Sequence, residues 1–154
     1  MLLAEFLDFD AIRPSLPGGN KRSLLQQLAN LAAQRLEIAP AGVLASLIER
    51  EQLGSTGFGQ GVAIPHGKIE GLERIYGLFV RLAEPVDYKA IDGRPVDLVF
   101  LLLSPPEAGA DHLKALAVIS RITRHAATLE RMRGARSRDA LAAVLMSADE
   151  RDAA

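Results

Sequence analysis

The chain has 154 residues, which suits one domain around a single core, and 49% of the residues are hydrophobic. Charged residues make up 24%, and the net charge of -1 lacks the basic surplus that binding to a nucleic-acid backbone needs. The chain has no cysteine, which excludes disulfides, thiolate chemistry and cysteine-based zinc sites and is compatible with a cytoplasmic location.

The N-terminal segment MLLAEFLDFD is apolar but also acidic. It lacks the basic region and the cleavage site of a signal peptide. The main aliphatic run, at 98–103, is far too short to span a bilayer. We therefore expect a soluble cytoplasmic protein with no direct membrane insertion, with one domain at 1–150 and a frayed tail at 151–154.

Two helices are predicted in the first third of the chain. Residues 21–36 place apolar side chains on one helical stripe, and Asn20 is suited to cap that helix. Pro40 suits the first turn of a second helix, which Gly54 can end in a left-handed conformation.

Strands are predicted at 61–64, 75–82 and 97–104. The last two are apolar at almost every position, which is typical of strands covered on both faces. After them, Asp111 is expected to cap a long helix, and a last helix is predicted near 137–147. Helices before and after the strands predict an α/β fold in which helices cover both faces of the sheet.

The segment LGSTGFGQGVAIPHGK, residues 53–68, places four glycines before a single histidine, His66. It matches neither the dinucleotide fingerprint nor the P-loop, because the third glycine of the first and the Ser/Thr of the second are missing. Pro65 and Gly67 restrict and free the backbone on either side of the ring, so the pattern predicts an imidazole held at a strand end beside open space. The alternative is an ordinary surface histidine in a glycine-rich turn.

Three segments carry a family resemblance: ERE at 49–51, GSTGFGQGVAIPHGK at 54–68 and DHLKAL at 111–116. They resemble the fructose/mannitol-type enzyme IIA domain of the bacterial phosphoenolpyruvate-dependent phosphotransferase system, and its nitrogen-regulatory branch in particular. The resemblance covers nearly the whole chain. It implies a mixed sheet of about five strands between helices, an α/β/α sandwich.

The resemblance also implies site residues. His66 would accept a phosphoryl group at Nε2 from a histidine phosphocarrier protein, supported by Arg50 and His112 without a cofactor or a metal. Ser55, Thr56 and the backbone N–H groups of the glycine loop would add donors to the phosphoryl oxygens. Without the resemblance, Arg50 would be interpreted as a solvated residue at a helix end and His112 as a polar residue in the first turn of a helix.

The sequence leaves the roles of two other side chains undecided, Lys68 and Phe58, and His125 is interpreted as structural. Lys68 either adds charge beside the phosphate or is only solvent-exposed. Phe58 is either an exposed contact for a partner protein or part of the core.

Several functions are compatible with the sequence. The first is a phosphoryl carrier that regulates targets in nitrogen or potassium metabolism, such as transporters or sensor kinases, by its phosphorylation state. The second is a sugar-type IIA protein that passes phosphate to a IIB protein. The chain contains neither a membrane nor a IIB segment, which favours the regulator. A binding module without chemistry is disfavoured by the three site residues together, and a metal hydrolase by the absence of H-E-x-x-H or comparable spacing.

Overall fold

Residues 1–153, the part of the chain that the computed structural model describes, contain five α-helices and six strands. The helices are α1 (Lys21–Leu36), α2 (Pro40–Gln52), α3 (Ala110–Thr123), α4 (Ala126–Gly134) and α5 (Arg138–Ala153). The strands are β1 (Arg13–Leu16), β2 (Gly57–Gly59), β3 (Val62–Ala63), β4 (His66–Lys68), β5 (Tyr76–Val86) and β6 (Val96–Ser104). Two single turns of 3-10 helix, Leu3–Glu5 and Phe9–Ala11, precede β1.

The strands form one mixed sheet in the order β1-β5-β6-β3-β2. Strand β6 pairs antiparallel with β5 along one edge. Along its other edge it pairs in parallel first with β3 and then with β4. The short strand that begins at His66 is therefore fixed directly to the central strand of the sheet.

Helices cover both faces of this sheet, as the sequence predicts. Side chains alternate along β5 and β6, so that Leu78 and Leu101 face α1 and α2, whereas Phe79 and Phe100 face α3, α4 and α5. The rings of Phe79 and Phe100 lie 4.8 Å apart between centroids. Burial on both faces explains why these two strands are apolar at nearly every position.

The predicted N-terminal ends of the first two helices are confirmed. The side chain of Asn20 accepts a hydrogen bond from the backbone N–H of Ser23 at 2.8 Å, and Pro40 is the first residue of α2. The sheet has six strands, against about five that the family resemblance implies. The strands that the sequence pattern did not predict, β1, β2 and β4, each contain only three or four residues. Such short strands carry no periodicity that a sequence pattern can reveal.

The predicted cap of α3 is wrong. Helix α3 begins at Ala110 with Gly109 in the capping position, so Asp111 lies inside the first turn and does not cap it. Residues 151–153 of the predicted tail belong to α5, and residue 154 lies outside the described residues, so fraying of this tail stays a prediction. The end of α5 is held because the carboxylate of Asp149 accepts the backbone N–H groups of Leu3 at 2.7 Å and Ala4 at 3.1 Å.

Within residues 1–153, no helix is both long enough and apolar enough to cross a bilayer.

Candidate active site

His66 is the first residue of β4 and lies opposite Leu102 of β6. The next residue, Gly67, lies under α2, where an added Cβ would overlap the hydroxyl of Ser46 and come within 3.1 Å of its Cβ. Only glycine lets the helix approach the strand this closely. The glycine after the histidine therefore brings α2, and with it Arg50, over the imidazole.

The imidazole of His66 is held at both ring nitrogens. Nδ1 lies 2.8 Å from the carbonyl oxygen of Ile64, which can only accept, so Nδ1 carries the proton. Nε2 lies 3.2 Å from Nε of Arg50, which can only donate, so Nε2 presents its lone pair. These two contacts select the neutral tautomer whose Nε2 is free to act as a nucleophile.

The surroundings of His66 keep the ring neutral. Burial lowers the pKa of His66, and the positive charge of Arg50 lowers it further, against the opposing effects of the Ile64 carbonyl and the Glu51 carboxylate. The pKa therefore lies below the ordinary 6.5, and the imidazole is uncharged at neutral pH.

His112 lies beside His66, with 5.4 Å between ring centroids and 53° between ring planes. It is the third residue of α3, and its Nδ1 is 2.6 Å from the hydroxyl of Ser104, the last residue of β6. Burial lowers the pKa of His112, and so do the charge that His66 would carry if it were protonated and the charge of Lys68. The structure thus brings together Arg50, His66 and His112, which are widely spaced in sequence.

The three residues share an open pocket of about 400 Å³, lined by Ser46, Glu49, Arg50, Leu53, His66, Gly67, Lys68 and His112. Leu53 is an apolar lining residue and is 83% exposed, and Leu113, which follows His112 in the chain, is 67% exposed. Phe58 is 50% exposed and lines a neighbouring groove of similar volume, so it is a surface residue rather than part of the core.

Ser55 and Thr56 do not take part in this pocket, contrary to the sequence prediction. Thr56 is fully buried, and its hydroxyl bonds to the carboxylate of Glu51 and to the hydroxyl of Tyr88. The hydroxyl of Ser55 accepts from the backbone N–H of Gly57 at 3.1 Å. Neither residue lines the pocket, because the turn directs both side chains toward other partners.

Packing explains three of the four loop glycines, those at 57, 59 and 61, whereas nothing lies within 4 Å of a Cβ added at Gly54. None of the four lines the pocket. Gly61 has φ of +80°, and an added Cβ would overlap the guanidinium of Arg133 and the carboxylate of Asp97, which pair at 2.8 Å. This ion pair fixes the turn between β2 and β3, and glycine is required to pass beside it.

Lys68, whose role the sequence left open, lines the pocket, and His125 does not. His125 precedes α4, and its Nε2 is 3.6 Å from a carboxylate oxygen of Asp152. Within the described part of the chain there is no group of three His, Cys, Asp or Glu side chains that could hold a metal ion.

Ser46, Glu49 and Leu53 are pocket residues that the sequence analysis missed. A signal was present for Ser46 and Leu53, which lie four positions before and three positions after Arg50 and so share its face of α2. Glu49 directly precedes Arg50 in the chain, and helical spacing gives no such signal for it. Ser104 was also missed, and nothing in its apolar strand distinguishes it.

The family model described as "Phosphoenolpyruvate-dependent sugar phosphotransferase system, EIIA 2" matches residues 5–148. The chain belongs to this EIIA type-2 family. A nitrogen regulatory protein of Bradyrhizobium diazoefficiens is 47% identical over 94% of this chain and 95% of its own length. A fructose-specific EIIA component of Haloferax volcanii is 35% identical over 84% of each.

Among solved structures, this EIIA chain is similar to the crystal structure of nitrogen regulatory protein IIA-Ntr from Neisseria meningitidis. The TM-score is 0.87 at 36% identity, over 93% of this chain and 98% of the other. The fold is that of EIIA proteins, and the relatives fit the nitrogen-regulatory branch. The chain is thus a component of the phosphotransferase type, as its sequence motifs predict.

Proposed function

We propose that His66 is the phosphoryl acceptor and that it takes the group at Nε2 from the phosphohistidine of a histidine phosphocarrier protein. The observation that carries this is the fixed tautomer: Nδ1–H donates to the Ile64 carbonyl, and Nε2 faces Arg50 in an open pocket. Nothing else in the pocket combines a buried ring with an unprotonated nitrogen held in a single orientation.

The transfer is balanced without a cofactor. The Nε2 lone pair of neutral His66 attacks phosphorus, and the phosphorus–nitrogen bond of the donor breaks with its electron pair returning to the donor imidazole. Leaving group and nucleophile are alike, so the reaction is readily reversible. Because Nδ1 keeps its proton, the phosphorylated ring carries positive charge, which the carbonyl of Ile64 stabilises at 2.8 Å.

Arg50 and His112 would stabilise the phosphoryl oxygens during transfer. Arg50 donates to Nε2 in the unphosphorylated protein, so the incoming phosphorus must displace this donor, and the guanidinium can move to a phosphoryl oxygen. His112 approaches from the other side of the pocket on α3. Phosphoryl transfer depends mainly on such positioned charge and hydrogen-bond donors.

Exposed apolar side chains would receive the donor protein. Leu53 lines the pocket and Leu113 follows His112 in the chain, while Phe58 lines a separate groove. Exposed apolar side chains around a polar centre are typical of a protein contact site.

Phosphorylation of a matched pair of variants tests the acceptor. Wild type incubated with a phosphorylated histidine phosphocarrier protein should gain one acid-labile, base-stable phosphoryl group. H66A should gain none, while H125A, which removes a histidine outside the pocket, should behave as wild type. Labelling of H66A at the wild-type rate would disprove the assignment.

The output we propose is regulation of target proteins in nitrogen or potassium metabolism, in the cytoplasm, according to phosphorylation state. Phosphorylation adds about two negative charges at pH 7, here beside exposed apolar side chains. A target that packs over the bare imidazole must desolvate the phosphate, whereas a target with an arginine cluster gains from it. We expect at least one target, such as a transporter or a sensor kinase, to discriminate the two forms by about 1–3 kcal/mol.

The second candidate is a sugar-type component that passes phosphate to a IIB protein, and the 35% identity to a fructose-specific EIIA component favours it. Identity to the nitrogen regulatory protein is higher, at 47%. Affinity capture from the host with H66A and with phosphorylated wild type separates the two. Different partners on the two baits support regulation, and identical partners, or only a IIB protein that takes the phosphate, refute it.

A further inference from the structure

A hydrogen-bonded cluster surrounds the buried carboxylate of Glu51, the residue that follows Arg50 of the pocket. The side chain of Glu51 is only 7% exposed, yet its carboxylate accepts from Nζ of Lys21 at 2.8 Å and from the backbone N–H of Thr56 at 3.0 Å. The hydroxyl of Thr56 donates to the other carboxylate oxygen. The ammonium of Lys21 also lies 4.3 Å from the ring centroid of Tyr88, whose hydroxyl is 3.0 Å from that of Thr56.

The carboxylate of Glu51 has more hydrogen-bonding partners than a residue at the end of a surface helix ordinarily has. A buried carboxylate is costly unless it is paired and hydrogen-bonded, and here both oxygens are used. Burial, together with the negative charge of Glu51, raises the pKa of Tyr88 so that its hydroxyl stays protonated and donates to Thr56. The cluster thus fixes one backbone position, Thr56, from two sides.

Thr56 connects the cluster to both nitrogens of His66. Its carbonyl accepts the N–H of Ile64 at 2.9 Å, and the carbonyl of Ile64 in turn accepts Nδ1–H of the imidazole. Two residues before Thr56, the carbonyl of Gly54 accepts Nη1 of Arg50 at 2.8 Å, and the same guanidinium reaches Nε2 of His66. A displacement of Thr56 would therefore disturb the donor at Nε2 and the acceptor at Nδ1 together.

We propose that Glu51 is a positioning residue for phosphoryl transfer: through Thr56 it holds the turn at 53–56 so that Arg50 and the Ile64 carbonyl fix the tautomer and orientation of His66. This role presupposes the transfer proposed above only for its effect on rate. Its effect on the imidazole exists whether or not the protein accepts phosphate.

The test compares E51Q with D8N. Glutamine keeps the volume of Glu51 but replaces one accepting oxygen by a donor and removes the counter-ion of Lys21. Asp8 is the matched control, because its carboxylate is 16% exposed and accepts from Arg35 at 2.9 Å and from Tyr76 at 2.6 Å, but it makes no contact with the turn. E51D is the third variant, since it keeps the charge but shortens the reach.

Nitrogen-15 NMR of the His66 ring and of the Arg50 Nε–H is the first readout, and the rate of phosphoryl acceptance is the second. In E51Q we expect ring nitrogens shifted toward the average of the two tautomers, a lost or displaced Arg50 signal and a rate lowered at least tenfold. In D8N, thermal stability should fall while the ring signals and the rate stay as in wild type.

Wild-type ring signals and rate in a destabilised E51Q would overturn the positioning role. Full recovery in E51D would also overturn it, because a field effect of the charge would then suffice. If wild type accepts no phosphate, the proposed function fails, and the ring signals of E51Q and D8N still decide the role of Glu51.

Discussion

Replacing Arg50 with alanine is expected to slow phosphoryl acceptance by a factor on the order of 100 to 1,000, the usual cost of losing one electrostatic donor. The guanidinium lies 3.2 Å from Nε2 of His66, so it will lie within about 4 Å of an oxygen on the incoming phosphorus. Two unit charges at about 4 Å interact by about 4 kcal/mol at an effective dielectric constant of about 20. A loss of about 3–4 kcal/mol corresponds to the same range in rate.

Arg50→Lys separates charge from geometry. Arginine bonds to Gly54 with Nη1 and to His66 with Nε, a division that a single ammonium group cannot reproduce. R50K should therefore be slower than wild type and faster than R50A. Arg22, exposed on α1, provides the control R22A, which should react as wild type.

The assay is rapid-quench measurement of the second-order rate constant with a phosphorylated histidine phosphocarrier protein in excess. Circular dichroism checks that each variant is folded. An R50A rate within threefold of wild type, in a folded protein, would show that the guanidinium does not stabilise the transferring group.

Four further predictions concern the same site. H112A should accept phosphate about 10 to 100 times more slowly, the cost of one hydrogen bond to a charged group, and an unchanged rate would return His112 to a structural role. The rate of phosphoryl acceptance should not change with pH near neutrality. It should fall only as the pH drops below 6.5 through the lowered pKa of His66, since the protonated ring has no free lone pair. In R50A, which lacks one cause of the lowered pKa of His66, this fall should begin at a higher pH. Folding stability should fall over the same acid range, because the unfolded state binds the proton first, and less so in H66A, as urea titrations at several pH values will show. EDTA should leave transfer from the charged donor unchanged, and a loss of rate that Mg²⁺ restores would contradict the metal-free reaction.

Helices with long apolar stripes and clear ends could be predicted from the sequence, as α1 and α2 show. Helix α4 could not, because only Thr128, Leu129 and Met132 of its nine residues, which include Gly134, face the interior. Three buried positions in a polar segment leave no stripe that stands out from a loop. The end of α5 depends on Asp149 meeting the N-terminus of the chain, a contact that no local pattern encodes.

The site was predicted in part. Motif resemblance selected Arg50, His66 and His112, which the fold then brings into one pocket. The same motif misassigned Thr56, because a hydroxyl that faces a ligand and one that satisfies a buried carboxylate look alike in sequence. Gly61 shows a similar ambiguity, since a close approach to Arg133 and Asp97 requires the same small residue as a close approach to phosphate.

Strand β6 also determines how the site can communicate. Residues 98–104 are completely buried, and we expect amides in such a strand to exchange hydrogen with solvent mainly through global unfolding. His66 pairs with this strand and His112 bonds to its last residue, so both rings are anchored to a fully buried segment of the sheet. A phosphoryl group on His66 should therefore change the backbone around it very little. We expect partners to detect a change in surface potential rather than a change in shape.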